Sequence, residues 1–122
     1  MFVKTYAGTV VGIDAVTVTV EADITRGIGM FLVGLPDNAV KESQERVQSA
    51  LRVNGYKAPF RSVVVNLAPA DVRKEGSGFD LPMAVGVMLS FEFLKIDTPD
   101  RYMFVGELGL DGSILPVKGV LP

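Results

Sequence analysis

Apolar and polar positions change rhythm several times along this chain, and each rhythm names an element. Residues 2–12 and 15–24 are rich in Val and Thr, and Val16, Val18 and Val20 alternate with Thr17 and Thr19. A period of two sends successive side chains to opposite faces, so this is a half-buried strand, entered through a turn at Gly12-Ile13-Asp14. Gly27-Ile28-Gly29 marks the next boundary, ahead of a short apolar strand from Met30 to Val33.

The period then lengthens. Between Asp37 and Asn54, Val40, Val47 and Leu51 recur at helical spacing with Ala50 beside them, and charges fill the other face. Asp37 predicts an N-cap, since its carboxylate can accept from the free amides of the first turn. Glu42 precedes Arg46 by four residues, a surface ion-pair spacing. Asn54-Gly55 is the stop signal, because glycine enters the left-handed region without a Cβ penalty.

Ser62 to Leu67 is a Val-rich run without clean alternation, which predicts a strand buried on both faces and ended by Pro69. A second helix is expected to begin near Leu81-Pro82, with proline at the first helical position and Asp80 or its neighbour as cap. Met83-Ala84-Val85-Gly86-Val87-Met88-Leu89 is apolar all round, so this helix should be the central buried one. Met103 to Glu107 and Ser113 to Val117 read as a final hairpin around Asp111-Gly112. The order β-β-β-α-β-α-β-β points to an α+β sheet with helices packed on one side.

Composition narrows the chemistry. A chain of 122 residues with 48% hydrophobic and 21% charged positions suits one soluble domain with a real core. The longest apolar run, Leu81 to Leu94, is interrupted by Ser90 and Glu92 and is too short to span a bilayer, and no secretory signal opens the chain; the expected compartment is cytoplasmic. Without cysteine or histidine there is no disulfide or thiolate chemistry, and only carboxylates could serve as side-chain metal ligands. No Gly-x-x-x-x-Gly-Lys-Ser/Thr sequence occurs, so no phosphate loop of that type binds a nucleotide here.

Two sets of residues remain as candidate chemistry. Lys74-Glu75-Gly76-Ser77-Gly78-Phe79-Asp80 lies just ahead of a helix N-terminus, where free amides can cradle an anion or an oxyanion. The plainer alternative is a tight loop capped by Asp80, whose own negative charge disfavours a phosphate there. The net charge of −2 lacks the basic surplus of a dedicated nucleic-acid binder. Arg52, Lys57, Arg61, Arg73 and Lys74 nevertheless flank the first helix and the Gly loop, and are candidates for a phosphate-facing patch; the alternative is an ordinary solvated face paired with Glu42, Glu45 and Glu75.

Three stretches carry a family resemblance: Val33 to Ser43, Val65 to Pro82, and Val105 to Val117. Together they resemble the magnesium-chelatase-like AAA+ ATPase family, in its Lon-protease-like, ChlI-type domain, over nearly all of the chain. The resemblance implies a fold shared with the Lon protease domain and with a ribosomal small-subunit protein domain. It also implies that residues 1–122 are one accessory domain excised from a longer protein, whose ATPase domain follows and binds ATP and magnesium. In Lon a serine in the Gly loop pairs with a lysine beyond the hairpin. Alignment puts Gly78 and Leu121 at those two places, with Ser77 one position early and Lys118 three positions away. The resemblance therefore implies no catalytic residue, cofactor or metal in this segment. It implies instead help in assembling a hexameric ring with its own ATPase domain and neighbouring subunits, and engagement of DNA in an ATP-driven branch-migration motor of natural transformation. The alternatives are a protein-interaction module without DNA affinity and a relocated Ser77–Lys118 peptidase.

Overall fold

A computed structural model describes residues 1–11, 14–56 and 61–117. The elements are β1 (Val3–Val11), β2 (Asp14–Thr25), β3 (Gly29–Val33), α1 (Asn38–Val53), β4 (Ser62–Ala68) and α2 (Asp80–Ser90), then a short 3-10 turn (Pro99–Arg101), β5 (Glu107–Leu108) and β6 (Ile114–Leu115). The predicted turn at Gly12-Ile13 falls outside the described residues.

Strands β1 to β4 form one mixed sheet in the order β1-β2-β4-β3, with β1, β2 and β4 antiparallel in turn and β3 parallel to β4. The alternation read from β2 holds: Val18, Val20 and Ala22 are fully buried, while Thr17 is exposed and Thr19 half-buried. Their partners on the same face, Thr5 and Ala7 of β1 and Val65 and Leu67 of β4, are buried too. The prediction for β4 needs correction. Val63, Val65 and Leu67 are buried, but Val64, Asn66 and Ala68 on the opposite face are only half-buried. The helices cover one face alone, and the β-branched run reflects strand preference more than two-sided burial.

Both helices pack on that covered face and against each other. α1 begins and ends as expected: the Asp37 carboxylate accepts from the Val40 amide at 2.8 Å, and Gly55 takes a φ of +89° after the Asn54 cap. Its buried stripe is Val40, Ser43, Val47, Ala50 and Leu51. α2 is the buried helix, with only Leu81 and Met88 less than fully buried. Gly86 lets it approach the sheet, since a Cβ there would already lie 3.6 Å from Ala22 and 3.7 Å from the Thr5 hydroxyl.

Two boundaries differ from expectation. α2 starts at Asp80, so Pro82 occupies its third position, where a missing N–H still costs nothing. The final pair is shorter than the sequence suggests. Met103 makes an isolated parallel bridge to Tyr6 of β1, and only Glu107–Leu108 pairs with Ile114–Leu115. Residues 103 to 106 instead extend two other elements: Phe104 N–H donates to the Tyr6 carbonyl at 2.9 Å, and Gly106 N–H to the Gly78 carbonyl at 3.2 Å.

Candidate functional site

The loop between β4 and α2 is held from below by the chain entering α1. Lys74 N–H donates to the Leu35 carbonyl at 3.1 Å, and Asp37 N–H donates to the Lys74 carbonyl at 2.9 Å. The second carboxylate oxygen of Asp37 accepts from Gly76 N–H at 3.3 Å, so one side chain caps α1 and anchors the Gly loop. Lys74 itself is fully buried, and its ammonium donates to the Pro69 carbonyl. Burial pulls its pKa below the ordinary lysine value, with Asp71 opposing the shift.

The start of α2 carries a buried ionic cluster that the sequence reading missed. Asp80 has no exposed surface and does not cap its own helix. Its carboxylate accepts from Arg46 Nε at 2.6 Å, Arg46 Nη2 at 3.0 Å, the Ser43 hydroxyl and the Leu108 amide at 3.0 Å. Arg46 also donates to the Ala39 carbonyl at 2.8 Å, and its contact with Glu42 is the longest it makes, at 3.4 Å. The hydrogen bond to Asp80 raises the Arg46 pKa, against the opposing effect of burial. So Arg46 is not chiefly a surface partner of Glu42. It ties α1 to the first residue of α2, and through Leu108 to β5.

That arrangement uses up the amides an anion would need. Asp80 N–H donates to the Ser77 carbonyl at 3.2 Å and Leu81 N–H to the Gly106 carbonyl at 3.1 Å, while Pro82 has no N–H. With a buried carboxylate at the same helix end, the first turn of α2 itself offers neither free amides nor a favourable potential for an oxyanion. At Gly78, where the family resemblance places a nucleophile, an added Cβ would sit 3.7 Å from a Val105 methyl and 3.9 Å from both Val117 methyls. Lys118 and Leu121 lie outside the described residues. Because these contacts are ordinary van der Waals distances and Gly78 has no positive φ, Gly78→Ser should fold with a loss within about 1 kcal/mol. It should also stay inert to a serine-directed acylating probe. Stoichiometric labelling would show that an activating base stands nearby.

The hairpin is fixed on α1 rather than free. Ser49 Oγ donates to the Leu110 carbonyl at 3.0 Å, and Asn54 Nδ2 to the Asp111 carbonyl at 2.9 Å. Inside the turn, the Ser113 hydroxyl and amide hold the Asp111 carboxyl below the usual carboxylate range. Among the described residues no group of three or more potential metal-ligating side chains converges. No helix there is long and apolar enough to cross a membrane.

The basic candidates differ in their surroundings. Lys74 is buried and donates to a backbone carbonyl, which corrects its placement among phosphate-facing residues. Arg73 is exposed but paired with Glu75 at 3.4 Å, beside the loop that meets the α1 N-terminus. Arg52, in the last turn of α1, and Arg61, just before β4, are both exposed and without an ion-pair partner among the described residues. Arg61 directly precedes β4, whereas Arg73 lies beyond its far end in the loop that leads to α2. Lys57 lies outside the described residues.

Comparison with known proteins adds to this geometry. Residues 20–122 match the family model described as the ChlI subunit of Mg-chelatase. The competence protein ComM of Haemophilus influenzae is 43% identical over 118 residues, covering 96% of this chain and 23% of that protein. The protein YifB of Escherichia coli is 42% identical over 111 residues, covering 90% of this chain and 22% of that protein. A weaker likeness, 29% over 82 residues, joins 67% of the chain to 14% of Lon protease 2 of Bacillus subtilis. The chain thus spans about a quarter of the length of the first two relatives.

Proposed function

The chain belongs to the family of the ChlI subunit of magnesium chelatase, and on that premise we propose that it is a noncatalytic, Lon-like accessory domain of a longer AAA+ ATPase. The observation that carries the proposal is the closed end of α2. Asp80 is buried against Arg46, the first-turn amides are spent, and glycine stands where the resemblance expects a nucleophile. Such a loop serves assembly better than peptide hydrolysis, because Asp37, Arg46 and Asp80 already hold α1, α2 and β5 in place. ATP and magnesium belong to the domain that follows in the longer protein, and its neighbouring subunits and DNA are the partners of the assembled ring. Proposing DNA as a partner draws on the printed name of one relative, a competence protein, and on the exposed guanidiniums of Arg52 and Arg61.

Phosphate contacts release counterions, so their loss lowers affinity and flattens its salt dependence. Anisotropy titrations of single-stranded and branched DNA are therefore the test, across several salt concentrations. The longer protein is expected to bind with a steeper salt slope than a variant carrying Arg52→Ala and Arg61→Ala. Two removed phosphate contacts should change the slope by about 2 on a log–log plot. Arg73→Ala should change it little, because Arg73 is already paired with Glu75. Identical slopes in all three proteins would leave the domain an interaction module without DNA contact, the second reading, which the exposed apolar edge of the sheet favours.

A further inference from the structure

The two strands that flank β4 are joined across its first residue. β2 and β3 lie on either side of β4, and Ser62 pairs with Thr25 on one side and with Gly29 on the other. Arg26-Gly27-Ile28 therefore arches over the end of β4 that Arg61 enters. The arch is close: a Cβ at Gly27, whose φ is +105°, would lie 3.9 Å from the Cβ of the buried Ser62. Continuing the β2–β4 register by one step sets Arg26 opposite Arg61. Each stands one residue, about 3.8 Å, beyond a pair whose Cα atoms are about 5 Å apart, so their own Cα atoms are at most about 13 Å apart. Both arginines are exposed, and neither has an ion-pair partner among the described residues. The nearest carboxylate along either segment is the exposed Asp23, three positions before Arg26.

We propose that Arg26 and Arg61 form a clamp for one phosphate group at this end of the sheet; on the DNA reading above, that group is a phosphodiester of the bound strand. Like charges set opposite one another across a ladder destabilise it. An anion held between them turns the same arrangement into an attraction. Guanidiniums suit phosphate in particular, because each planar fork can donate two parallel N–H bonds to its oxygens. The exposed amides of Gly27 and Ile28 make no backbone hydrogen bond among the described residues and add two donors in the arch. Arg52 extends the site. β3 and β4 run parallel, so α1 returns the chain to the start of β4, and its last turn brings Arg52 to the same end of the sheet. Such a clamp positions a backbone and reads no base.

The test is NMR of the 122-residue chain at low ionic strength, following the Nε–Hε signals of Arg26 and Arg61, each assigned by its Gln variant. Inorganic phosphate and a short oligothymidylate are titrated separately, with the ionic strength held constant. Both signals should move together along one saturation curve with either probe. Arg26→Gln should weaken oligothymidylate binding about tenfold and remove most of the Arg61 shift. Without ligand it should melt no lower than the native chain, because it removes a like-charge opposition; Arg61→Gln takes its place if it fails to fold. Movement with phosphate but not with oligothymidylate keeps the clamp and removes a DNA strand as its source. Oligothymidylate binding that leaves both signals in place overturns the clamp, while the DNA reading stands on Arg52. Silence of both signals toward both probes overturns the clamp as well. So does an Arg26→Gln variant that binds as tightly as the native chain, or one that melts well below it, which would make Arg26 a support of the arch.

Discussion

Replacing Arg46 by alanine is expected to cost about 3–5 kcal/mol of stability, a large share of what a domain of this size possesses. The loss does not come from a forfeited attraction alone. Asp80 has no exposed surface, so removal of Arg46 leaves a buried carboxylate with only the Ser43 hydroxyl and the Leu108 amide as donors. Asp80→Ala should cost a similar amount by the reverse route, stranding a guanidinium whose side chain is 19% exposed together with the Leu108 amide. Because Leu108 belongs to β5, Asp80→Ala should also free the hairpin before the sheet melts, read as faster hydrogen exchange at residues 107–115. Glu42→Ala is the control. Its contact with Arg46 is exposed and long, so the cost should stay below about 1 kcal/mol. Urea denaturation of the three variants checks the ordering. An Arg46→Ala loss no larger than that of Glu42→Ala would mean that the cluster is solvated and does not hold the helices together.

A second large loss is expected from the smallest possible change, Gly34→Ala. A Cβ at Gly34 would lie 2.9 Å from both the nitrogen and the carbonyl carbon of Leu67, and closer still to its oxygen. Those atoms belong to the backbone of β4, an interior strand paired on both sides, so they cannot move aside as a side-chain tip would. The residue also has a φ of +117°, which an L-amino acid adopts only with strain. Overpacking of about 1–3 kcal/mol and backbone strain of about 1–3 kcal/mol together give about 2–6 kcal/mol. Gly55→Ala separates the two contributions, because Gly55 has a φ of +89° but nothing within 4 Å of its would-be Cβ. It should show the strain without the clash. Equal losses at the two positions would contradict the close approach at Gly34.

What the sequence disclosed followed from local periodicity. α1, its Asp37 cap and its Asn54-Gly55 stop depend on neighbours within a turn, and all are found where the residues place them. The valine alternation in β2 and the all-apolar α2 were equally legible. Asp80 was not, because its meaning lies in residues 28 to 37 positions away in the chain. One signal was present: Ser43 falls on the Val40–Val47 stripe, and a polar residue on a buried stripe needs a polar partner. Arg46 misled for the opposite reason, since the spacing to Glu42 offered a sufficient local explanation. Lys74 looked like a surface cation because a charged Gly loop looks solvated, yet β-bridge pairing with Pro36 turns it inward. The last strands came out shorter because Met103 and Phe104 spend their pairing on β1, a choice no local pattern records.

The claim that this domain is noncatalytic meets its sharpest test in the longer protein that carries it, supplied with ATP, magnesium and a permanently unfolded protein substrate. The spent amides at α2 and the glycine at position 78 predict no release of peptides above the level without ATP, and identical traces for the native protein and its Ser77→Ala variant. ATP-dependent cleavage that disappears with Ser77→Ala would contradict the account, and its loss in Lys118→Ala as well would identify a relocated dyad.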